Sequence, residues 1–274
     1  GRGFAKEKEI KLGREIKRLR ERGVTPKLVS ILVGDDPASR LYVNLKRKKA
    51  EEMGCELWVV SCEARSAKNE IIEKINGFNN DKSVHGIMVQ LPLPSNFSKK
   101  NRDEIINSID RNKDVDGLRE DSPYITPTVK AVLEVVKEAT PYVVRPPLRE
   151  APLKVVVVGS KGFEGRKIFR ILEEMGYEVE GVDKETKNLE LITKNKDILI
   201  SVTGKPGLIK EDMVKKNAVV IDVGSPKGDV RTREVVGKAS FISPVPGGVG
   251  PVTISCLLEN LVVTSGVLAW YKVV

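Results

Sequence analysis

The sequence has few of the residues on which several classes of protein depend. Among its 274 residues are three cysteines and one histidine. Cys55, Cys62 and Cys256 form no Cys-x-x-Cys pair, which argues against a disulfide framework or a zinc site and predicts buried free thiols. His85 alone is a poor basis for a histidine-rich metal centre or a Ser-His-Asp mechanism. We therefore predict no metal site.

Aromatic residues and long apolar runs are also scarce. Aromatic side chains make up 5% of the chain and do not interleave with the basic ones, so the formal net charge of +9 gives little support for nucleic-acid binding. The longest apolar stretches, 153–159 and 261–271, are shorter than the roughly 18 residues of a membrane span, or interrupted. Residues 1–23 show no apolar signal region. We expect a cytoplasmic protein without a nucleic-acid or membrane partner.

Short aliphatic runs alternate with helical patterns along the chain. Continuous Val/Ile/Leu runs separated by helices are typical of parallel strands buried on both sheet faces. The pattern predicts an α/β fold of two doubly wound domains with a cleft between them, the second a Rossmann-type domain. An amphipathic basic helix is expected within 6–22, from the spacing of Ile10, Leu12, Ile16 and Leu19. The predicted strands are 28–33, 57–61, 86–90, 155–158, 179–182, 198–202 and 219–223.

Two proline-containing segments mark the expected domain boundaries. Proline is unfavourable inside helices and sheets, and segment 140–152 contains Pro141, Pro146, Pro147 and Pro152. A second break, PVPGGVGP at 244–251, precedes a helix. We predict a first domain of residues 1–139, completed by the C-terminal helix 250–274, and a dinucleotide-binding domain of residues 140–249.

Four consecutive basic residues, 46–49, lie in a predicted helix. Asp36 and Pro37 indicate its start, and Gly54 indicates its end. At about 100° per residue, Lys46 and Lys49 fall inside an apolar arc, whereas residues 47 and 48 fall outside it. A lysine in such an arc either extends to water or lines a cleft, where partial burial lowers its pKa. The arc consists of Ala38, Leu41, Tyr42, Leu45 and Met53.

Three separated segments resemble the methylenetetrahydrofolate dehydrogenase/cyclohydrolase family. They are 33–54, 86–94 together with 113–117, and 243–260, and the motifs VQLPLP and PVPGGVGP are the most specific. The resemblance covers nearly the whole chain. It implies a bifunctional enzyme, commonly a homodimer, that acts on tetrahydrofolate derivatives. Such an enzyme oxidises 5,10-methylenetetrahydrofolate with a nicotinamide cofactor and then hydrates the methenyl cation to 10-formyltetrahydrofolate.

The resemblance also implies roles for individual residues. Lys46 takes the place of the catalytic lysine, Gln90 that of the glutamine bonded to it, and Asp116 that of the aspartate that holds the pterin. The types fit the chemistry, because a tuned amine can take a proton from water and return one to a ring nitrogen, and a carboxylate can accept two parallel N–H bonds. The expected substrate-binding residues are Tyr42, Leu91, Gly248, Val249, Gly250 and Pro251.

A strand, a glycine turn and a helix in segment 154–172 indicate the cofactor site. The turn reads Gly-Ser-Lys-Gly-Phe-Glu-Gly, whereas the family usually has G-R-S-x-x-V-G-x-P. This departure keeps open an alternative, a cyclohydrolase with weak or lost dehydrogenase activity. A non-catalytic dinucleotide-binding regulator is disfavoured by the complete lysine, glutamine and aspartate set. The expected cofactor-binding residues are Gly159, Ser160, Lys161, Gly165, Asp183, Thr203, Gly204 and Ser225.

The charged residues near this turn give opposing indications of whether the nicotinamide cofactor is NAD or NADP. Asp183 lies about 20 residues beyond the glycines, where an acid usually binds a free ribose diol, and so argues for NAD. Lys161, Arg166 and Lys184 argue for NADP, because their positive charge can compensate a 2′-phosphate. The family resemblance favours NADP, and NAD stays open.

Overall fold

Residues 1–143 and 151–267, described here from a computed structural model, form two units that each contain a parallel sheet. The first unit comprises Lys6–Pro127 and the chain from Ile254 onward, and the second comprises Gly1–Ala5 and Thr128–Thr253. This division falls before the helix that precedes the expected boundary at residue 140. Most of the proline-containing segment, 144–150, lies outside the described residues. The prediction of a two-domain α/β fold is confirmed.

The first unit contains a three-stranded sheet in the order β2-β1-β3 with all pairs parallel. Each strand is followed by a helix, as the alternating sequence pattern predicts, and β1 lies in the centre. A single 3-10 turn, Arg111–Lys113, follows the last helix of this series. The elements are α1 (Arg2–Glu21), β1 (Lys27–Val33), α2 (Pro37–Glu52), β2 (Glu56–Cys62), α3 (Lys68–Asn80), β3 (Gly86–Val89) and α4 (Lys99–Asn107).

The second unit contains a five-stranded sheet in the order β5-β4-β6-β7-β8, again with all pairs parallel. Its last strand, of only three residues, is too short to form the kind of aliphatic run from which the other strands are predicted. The elements are α5 (Pro127–Ala139), β4 (Lys154–Val158), α6 (Phe163–Glu174), β5 (Glu178–Val182), α7 (Leu189–Thr193), β6 (Ile198–Ser201), β7 (Val219–Asp222), α8 (Thr232–Val235) and β8 (Phe241–Ser243). The last helix, α9 (Val249–Val262), begins in the second unit and belongs to the first unit from Ile254 onward.

Each unit has its own hydrophobic core. In the first unit, Leu28 of β1 packs in a cluster with residues of α1 and α9, while its neighbour Val29 packs in a second cluster with residues of α3 and α4. Successive strand residues point to opposite faces, so both sheet faces are covered. The amphipathic α1 buries three of the predicted residues, but Ile10 is 53% exposed and does not belong to the apolar face.

The C-terminal helix α9 is more apolar than the sequence analysis recognised. By length and composition alone, the window Val249–Gly266 meets the requirement for a membrane span, with a mean hydropathy of 1.3. Within the structure 61% of this window is buried, as expected for the core helix of a folded domain. The helix begins one residue earlier than predicted and continues as a π-helical turn, Val263–Val267. The predicted helix end at 274 lies outside the described residues.

Candidate active site

Helix α2 begins and ends where the sequence indicates. The Asp36 side chain accepts a hydrogen bond of 2.7 Å from the Ser39 N–H, and Pro37 occupies the first helical position. The helix ends at Glu52, and Gly54 adopts φ of 85°, a conformation that favours glycine. These two ends fix the rotation and register of the helix that carries Lys46.

The inward face of α2 differs from the predicted apolar arc. Leu41 and Leu45 are 57% and 45% exposed, and the buried residues of the helix are Ser39, Val43 and Ala50. Small and β-branched side chains therefore face the sheet, and the larger leucines point away from it. Lys46 lies three residues after Val43 and four before Ala50, so it shares the inward face. Its placement was predicted correctly from a partly wrong arc.

Of the four basic residues, Lys46 and Lys49 are half-buried and their two neighbours are exposed, as predicted. Lys49 is engaged in ion pairs with Glu9 at 3.2 Å and Glu52 at 2.9 Å. The Lys46 amine instead donates a hydrogen bond of 3.1 Å to Gln90 Oε1, and it lies 3.8 Å from the Met88 sulfur. Only Lys46 is thus directed toward the polar end of β3.

The orientation of the Gln90 amide is fixed by its neighbours. Its Nε2 donates to the Leu91 carbonyl at 2.8 Å, and its backbone N–H donates to the Ile31 carbonyl at 2.8 Å. The amide oxygen is therefore the atom that faces Lys46, since the opposite orientation would place two N–H donors against each other. Gln90 is buried, so the amine has a fixed partner in either protonation state.

Burial and one carboxylate determine the charge state of Lys46. Burial lowers the pKa of Lys46 below that of an ordinary lysine, and the negative charge of Asp116 acts in the opposite direction. The amine can therefore exist in its neutral form closer to neutral pH than a solvated lysine can. This is the property required of a group that both accepts and returns a proton.

The segment that carries Asp116 is fixed on both sides. The Lys113 amine donates hydrogen bonds of 2.7–3.0 Å to the carbonyls of Phe78, Asn79 and Asp81, which lie at the C-terminal end of α3, where carbonyl groups lack helical N–H partners. Asp114 is fully buried and accepts hydrogen bonds from the backbone N–H groups of residues 118 and 119. Burial raises the pKa of Asp114. These contacts hold the backbone of the loop.

A residue from the end of the chain completes this loop. Asn260 of α9 donates to the carbonyls of Val115 at 2.9 Å and Ile125 at 3.1 Å. Gly117 has φ of 63°, and a Cβ there would lie 2.7 Å from the Tyr124 carbonyl oxygen. Sequence reasoning did not single out Asn260, although it is the last residue of the 243–260 motif.

In the second unit, the turn after β4 is shaped by closely packed glycines. Gly159 has φ of 96°, and a Cβ there would lie 2.7 Å from the Val202 carbonyl oxygen. A Cβ on Gly165, in the first turns of α6, would lie 2.0 Å from the Gly159 carbonyl oxygen. Helix and strand therefore approach each other in a way that only glycine permits. This is the form of a dinucleotide-binding turn, although the spacing differs from GxGxxG.

Of the three cations predicted to lie near Asp183, the structure pairs Lys161 with it. Lys161 is 88% exposed and pairs with Asp183, 17% exposed, at 3.7 Å. Of the other two predicted cations, Lys184 pairs with Glu185 at 3.6 Å, and the Arg166 guanidinium lies over the Phe163 ring. Of the three cations considered, Lys161 is thus the one that the structure pairs with Asp183.

The remaining predicted cofactor residues lie at the carboxyl ends of neighbouring strands. Thr203 and Gly204 follow β6, and Ser225 follows β7. Because ligands of open parallel sheets bind at this edge, the placement agrees with the predicted site. Ser160 donates its backbone N–H to the Val182 carbonyl at 3.2 Å, which joins the glycine turn to the end of β5.

The predicted substrate-binding residues 248–251 lie at the start of α9. Val249, Gly250 and Pro251 form the first turn of α9, where proline is tolerated because its missing N–H has no helical partner. A Cβ on Gly248 would lie 2.5 Å from the Pro244 carbonyl oxygen. The substrate contacts of these four residues and of Leu91 stay predictions.

The other sequence expectations concern cysteine and histidine. All three cysteines are free and buried, as predicted. The ring Nδ1 of His85 accepts a hydrogen bond of 3.2 Å from the backbone N–H of Lys27. The backbone N–H of His85 in turn donates to the Lys27 carbonyl at 2.9 Å. His85 therefore joins β1 to the start of β3.

A half-buried lysine in one α/β unit, together with a glycine turn after the strand β4 of a second parallel sheet, is typical of a nucleotide-dependent enzyme of two domains. The family model for the catalytic domain of tetrahydrofolate dehydrogenase/cyclohydrolase matches residues 1–116, and the model for its NAD(P)-binding domain matches residues 126–267. The chain belongs to the tetrahydrofolate dehydrogenase/cyclohydrolase family. The match to the second model confirms the predicted class of cofactor, a nicotinamide dinucleotide.

Relatives of known name and structure agree with this assignment. The bifunctional protein FolD of Bacillus subtilis is 37% identical over 96% of this chain and 95% of the relative. The structure of the Campylobacter jejuni FolD methylenetetrahydrofolate dehydrogenase/cyclohydrolase is 36% identical, with a TM-score of 0.86, over 97% of this chain and 96% of that one. The Trypanosoma brucei enzyme, determined with NADP and an inhibitor, is 30% identical, with a TM-score of 0.86, over 97% and 95% of the two chains. The prediction of a bifunctional folate enzyme is confirmed.

Proposed function

We propose that Lys46 is the proton-transfer group of the cyclohydrolase reaction, with Gln90 and Asp116 as its partners. The observation that carries this proposal is the hydrogen bond of 3.1 Å from the Lys46 amine to Gln90 Oε1, made by a lysine whose pKa is lowered by burial. The amide oxygen can accept an N–H from both the neutral amine and the ammonium. It therefore orients the amine without consuming the lone pair that must accept a proton.

The proton balance of hydration assigns two tasks to this amine. When water attacks the methenyl carbon, a C–O bond forms and one proton of the water passes to the neutral amine of Lys46. Ring opening then breaks a C–N bond, the hydroxyl proton leaves as the formyl carbonyl forms, and the departing nitrogen gains a proton. An ammonium that returns its proton to this nitrogen meets that need, and one proton is released overall.

The substrate would be held by residues of the same unit. Asp116 would accept N–H bonds from the aminopyrimidine part of the pterin, because its backbone is fixed by the bonds of Asp114 and Asn260. Tyr42 lies one helical turn before Lys46 and is half-buried, which suits stacking on a flat ring. Leu91 and residues 248–251 complete the proposed substrate contacts.

The second unit would hold the dinucleotide at the glycine turn. The turn leaves no room for a Cβ at residues 159 and 165, and the close approach of backbone that results fits a bound pyrophosphate. The proposed binding residues are Gly159, Ser160, Lys161, Gly165, Asp183, Thr203, Gly204 and Ser225. The dinucleotide held by these residues would supply the hydride acceptor for oxidation of methylenetetrahydrofolate.

We propose NADP as the preferred dinucleotide. The ion pair between Lys161 and Asp183 offsets the negative charge that would otherwise repel a 2′-phosphate. The Trypanosoma brucei relative was determined with NADP, which supports the same choice. An NAD-linked enzyme is the alternative, and comparison of the two dissociation constants separates them.

The proposed setting is a cytoplasmic homodimer without nucleic-acid or membrane partners. Free buried thiols suit a reducing compartment, and the dimer is supported by the family resemblance.

Activity assays with purified protein test the proposal directly. We expect reduction of NADP with methylenetetrahydrofolate and hydrolysis of methenyltetrahydrofolate by the same chain. The Lys46→Met variant should lose the hydrolysis while it still binds NADPH. Full hydrolysis by this variant would remove Lys46 from the proposed role.

A further inference from the structure

Two buried aspartates at the edge of the second sheet have no role in the proposed mechanism. Asp222 ends β7, and Asp229 follows seven residues later; both are completely buried. A carboxylate is costly to bury unless hydrogen-bond donors surround it. The donors that these two residues bind therefore show what the carboxylates hold in place.

Asp229 accepts hydrogen bonds from Ser201, the last residue of β6, and from Thr203, two residues later. Its Oδ2 accepts hydrogen bonds from Ser201 Oγ at 2.9 Å, from the Thr203 N–H at 2.7 Å and from Thr203 Oγ1 at 2.8 Å. One oxygen atom thus fixes both the backbone and the side chain of Thr203. Thr203 is one of the residues proposed to bind the dinucleotide.

Asp222 holds the loop that presents Asp229. Its carboxylate accepts hydrogen bonds from the N–H groups of Gly224 at 2.9 Å, Asp229 at 3.0 Å and Val230 at 3.0 Å. Its own N–H donates to Ser243 Oγ of β8 at 3.2 Å. The ends of β6 and β7 are therefore connected through two carboxylates, and β8 is joined to β7 through the backbone N–H of Asp222.

Two glycines allow the carboxylates to come this close to the backbone. A Cβ on Gly224 would lie 2.7 Å from Asp229 Oδ1, and a Cβ on Gly228 would lie 2.4 Å from Asp222 Oδ2. The paired motifs Asp-x-Gly at 222–224 and Gly-Asp at 228–229 are the sequence form of this arrangement. The glycine of each motif leaves space for the carboxylate of the other motif: Gly224 for Asp229, and Gly228 for Asp222.

We propose that Asp229 is a positioning residue for the dinucleotide, acting through Thr203, with Asp222 as its support. This inference rests on the proposed cofactor site at the carboxyl ends of β6 and β7. In an open parallel sheet a ligand binds where these loops diverge, so a fixed Thr203 reduces the ordering that must accompany binding. Asp229 itself is buried and acts only through the residues it bonds.

The two oxygens of Asp229 allow a sharp choice of variants. Oδ1 is buried and accepts no hydrogen bond from the described residues, whereas Oδ2 carries all three bonds described above. Asp229→Asn can keep one acceptor oxygen for Ser201 and Thr203 with its amide nitrogen in the place of Oδ1. Asp229→Ala removes the acceptor, and Ser201→Ala removes one donor from a small buried site.

The experiment measures the dissociation constant of NADPH by its fluorescence, together with hydrolysis of methenyltetrahydrofolate and the Tm. Loss of a buried acceptor should weaken NADPH binding of Asp229→Ala about tenfold or more. Asp229→Asn should stay within about threefold of the unchanged protein, and Ser201→Ala should lie between the two. Asp212→Ala, which changes an exposed carboxylate of the same unit, is the control and should bind NADPH normally.

Hydrolysis of methenyltetrahydrofolate, the activity proposed for the first unit, distinguishes a loss of dinucleotide positioning from a general loss of folding. If Asp229 positions the dinucleotide, hydrolysis of methenyltetrahydrofolate stays within about twofold in every variant of this series. An unchanged NADPH dissociation constant in Asp229→Ala would overturn the inference, and so would parallel loss of NADPH binding, hydrolysis and Tm. Failure of the proposed cofactor site would be visible separately, because the unchanged protein would then not bind NADPH, and failure of the proposed proton-transfer role would be visible as full hydrolysis by Lys46→Met.

Discussion

The candidate site of the first unit consists of side chains, whereas that of the second unit consists largely of backbone. In the first unit, Lys46 is held by Gln90, and its pKa is lowered by burial. In the second, glycines at 159 and 165 leave room for a close approach, and Asp229 fixes the backbone N–H of residue 203. One unit is suited to proton transfer and the other to holding a ligand.

This difference determines how each site tolerates substitution. A side-chain site loses its chemistry when one functional group is replaced, even though the fold persists. A backbone site loses its shape when a Cβ is added, and it depends on buried residues that never touch the ligand. Variants that affect one unit and leave the other active therefore test the comparison.

The largest effect is expected for Lys46→Met. Removal of the amine takes away the proposed proton-transfer group, which typically contributes ~10²–10⁴-fold to a rate. Hydrolysis of methenyltetrahydrofolate should fall by that factor, and NADPH binding should be unchanged. Lys48→Met, on the exposed face of the same helix, is the matched control and should hydrolyse the substrate normally.

The same variant has an expected dependence of stability on pH. Because burial lowers the pKa of Lys46 in the folded protein below 10.5, the unfolded chain binds more protons between the two pKa values. The penalty for the buried charge is complete below the folded pKa and disappears as the pH rises to that of an exposed lysine. In urea unfolding, the free energy of unfolding of Lys46→Met should exceed that of the unchanged protein by the largest amount at neutral pH. This difference should narrow as the pH rises toward 10.5. A gap that widens would contradict the lowered pKa.

The next largest effect is expected for Gly165→Ala. The added Cβ would lie 2.0 Å from the Gly159 carbonyl oxygen, so α6 or the turn must move, at a cost of about 1–3 kcal/mol. We expect NADPH binding to weaken at least tenfold, measured by fluorescence titration, while hydrolysis persists. Gly237→Ala, where a Cβ meets nothing within 4 Å, is the control in the same unit. Normal NADPH binding by Gly165→Ala would show that the turn does not shape the site.

A smaller effect is expected for Asn260→Ala. The substitution leaves the carbonyls of Val115 and Ile125 without this donor, which costs about 1–3 kcal/mol and loosens the loop that carries Asp116. The KM for methenyltetrahydrofolate should rise more than kcat falls, in steady-state assays. Asn107→Ala, an exposed asparagine of the same unit, should leave both constants unchanged. A fall in kcat alone would argue against a role in positioning Asp116.

The smallest effect is expected for Asp183→Asn. Lys161 is largely exposed, and exposed ion pairs contribute little. Removal of the acid should strengthen NADP binding and weaken NAD binding, each within about fivefold. Dissociation constants for both dinucleotides measure this shift, with Glu185→Gln as the control. Stronger NAD binding by Asp183→Asn would reverse the proposed role of the acid.

Particular residues show how far the sequence alone could lead. The Asp36 cap and the seven longer strands followed from local patterns, because capping and β-branched runs are local signals. The three-residue β8 gave no such signal. The predicted apolar arc of α2 was partly wrong because the helix packs on the sheet through small and β-branched side chains, and Leu41 and Leu45 are exposed. The roles proposed for Lys46, Gln90 and Asp116 were predicted from their motifs. Those of Asp229 and Asn260 were not, since their importance lies in hydrogen bonds between residues far apart in the sequence.

The hydrogen bonds of Asn260 have a consequence for biosynthesis. Val115 emerges from the ribosome well before Asn260, and the main part of the second unit, Thr128–Thr253, is translated between them. The first unit is thus discontinuous along the polypeptide, and a nascent chain lacks the donor that binds the loop of Asp116 until Asn260 has been translated. A fragment that stops after β8 would carry Lys46, Gln90 and Asp116 and still lack that donor.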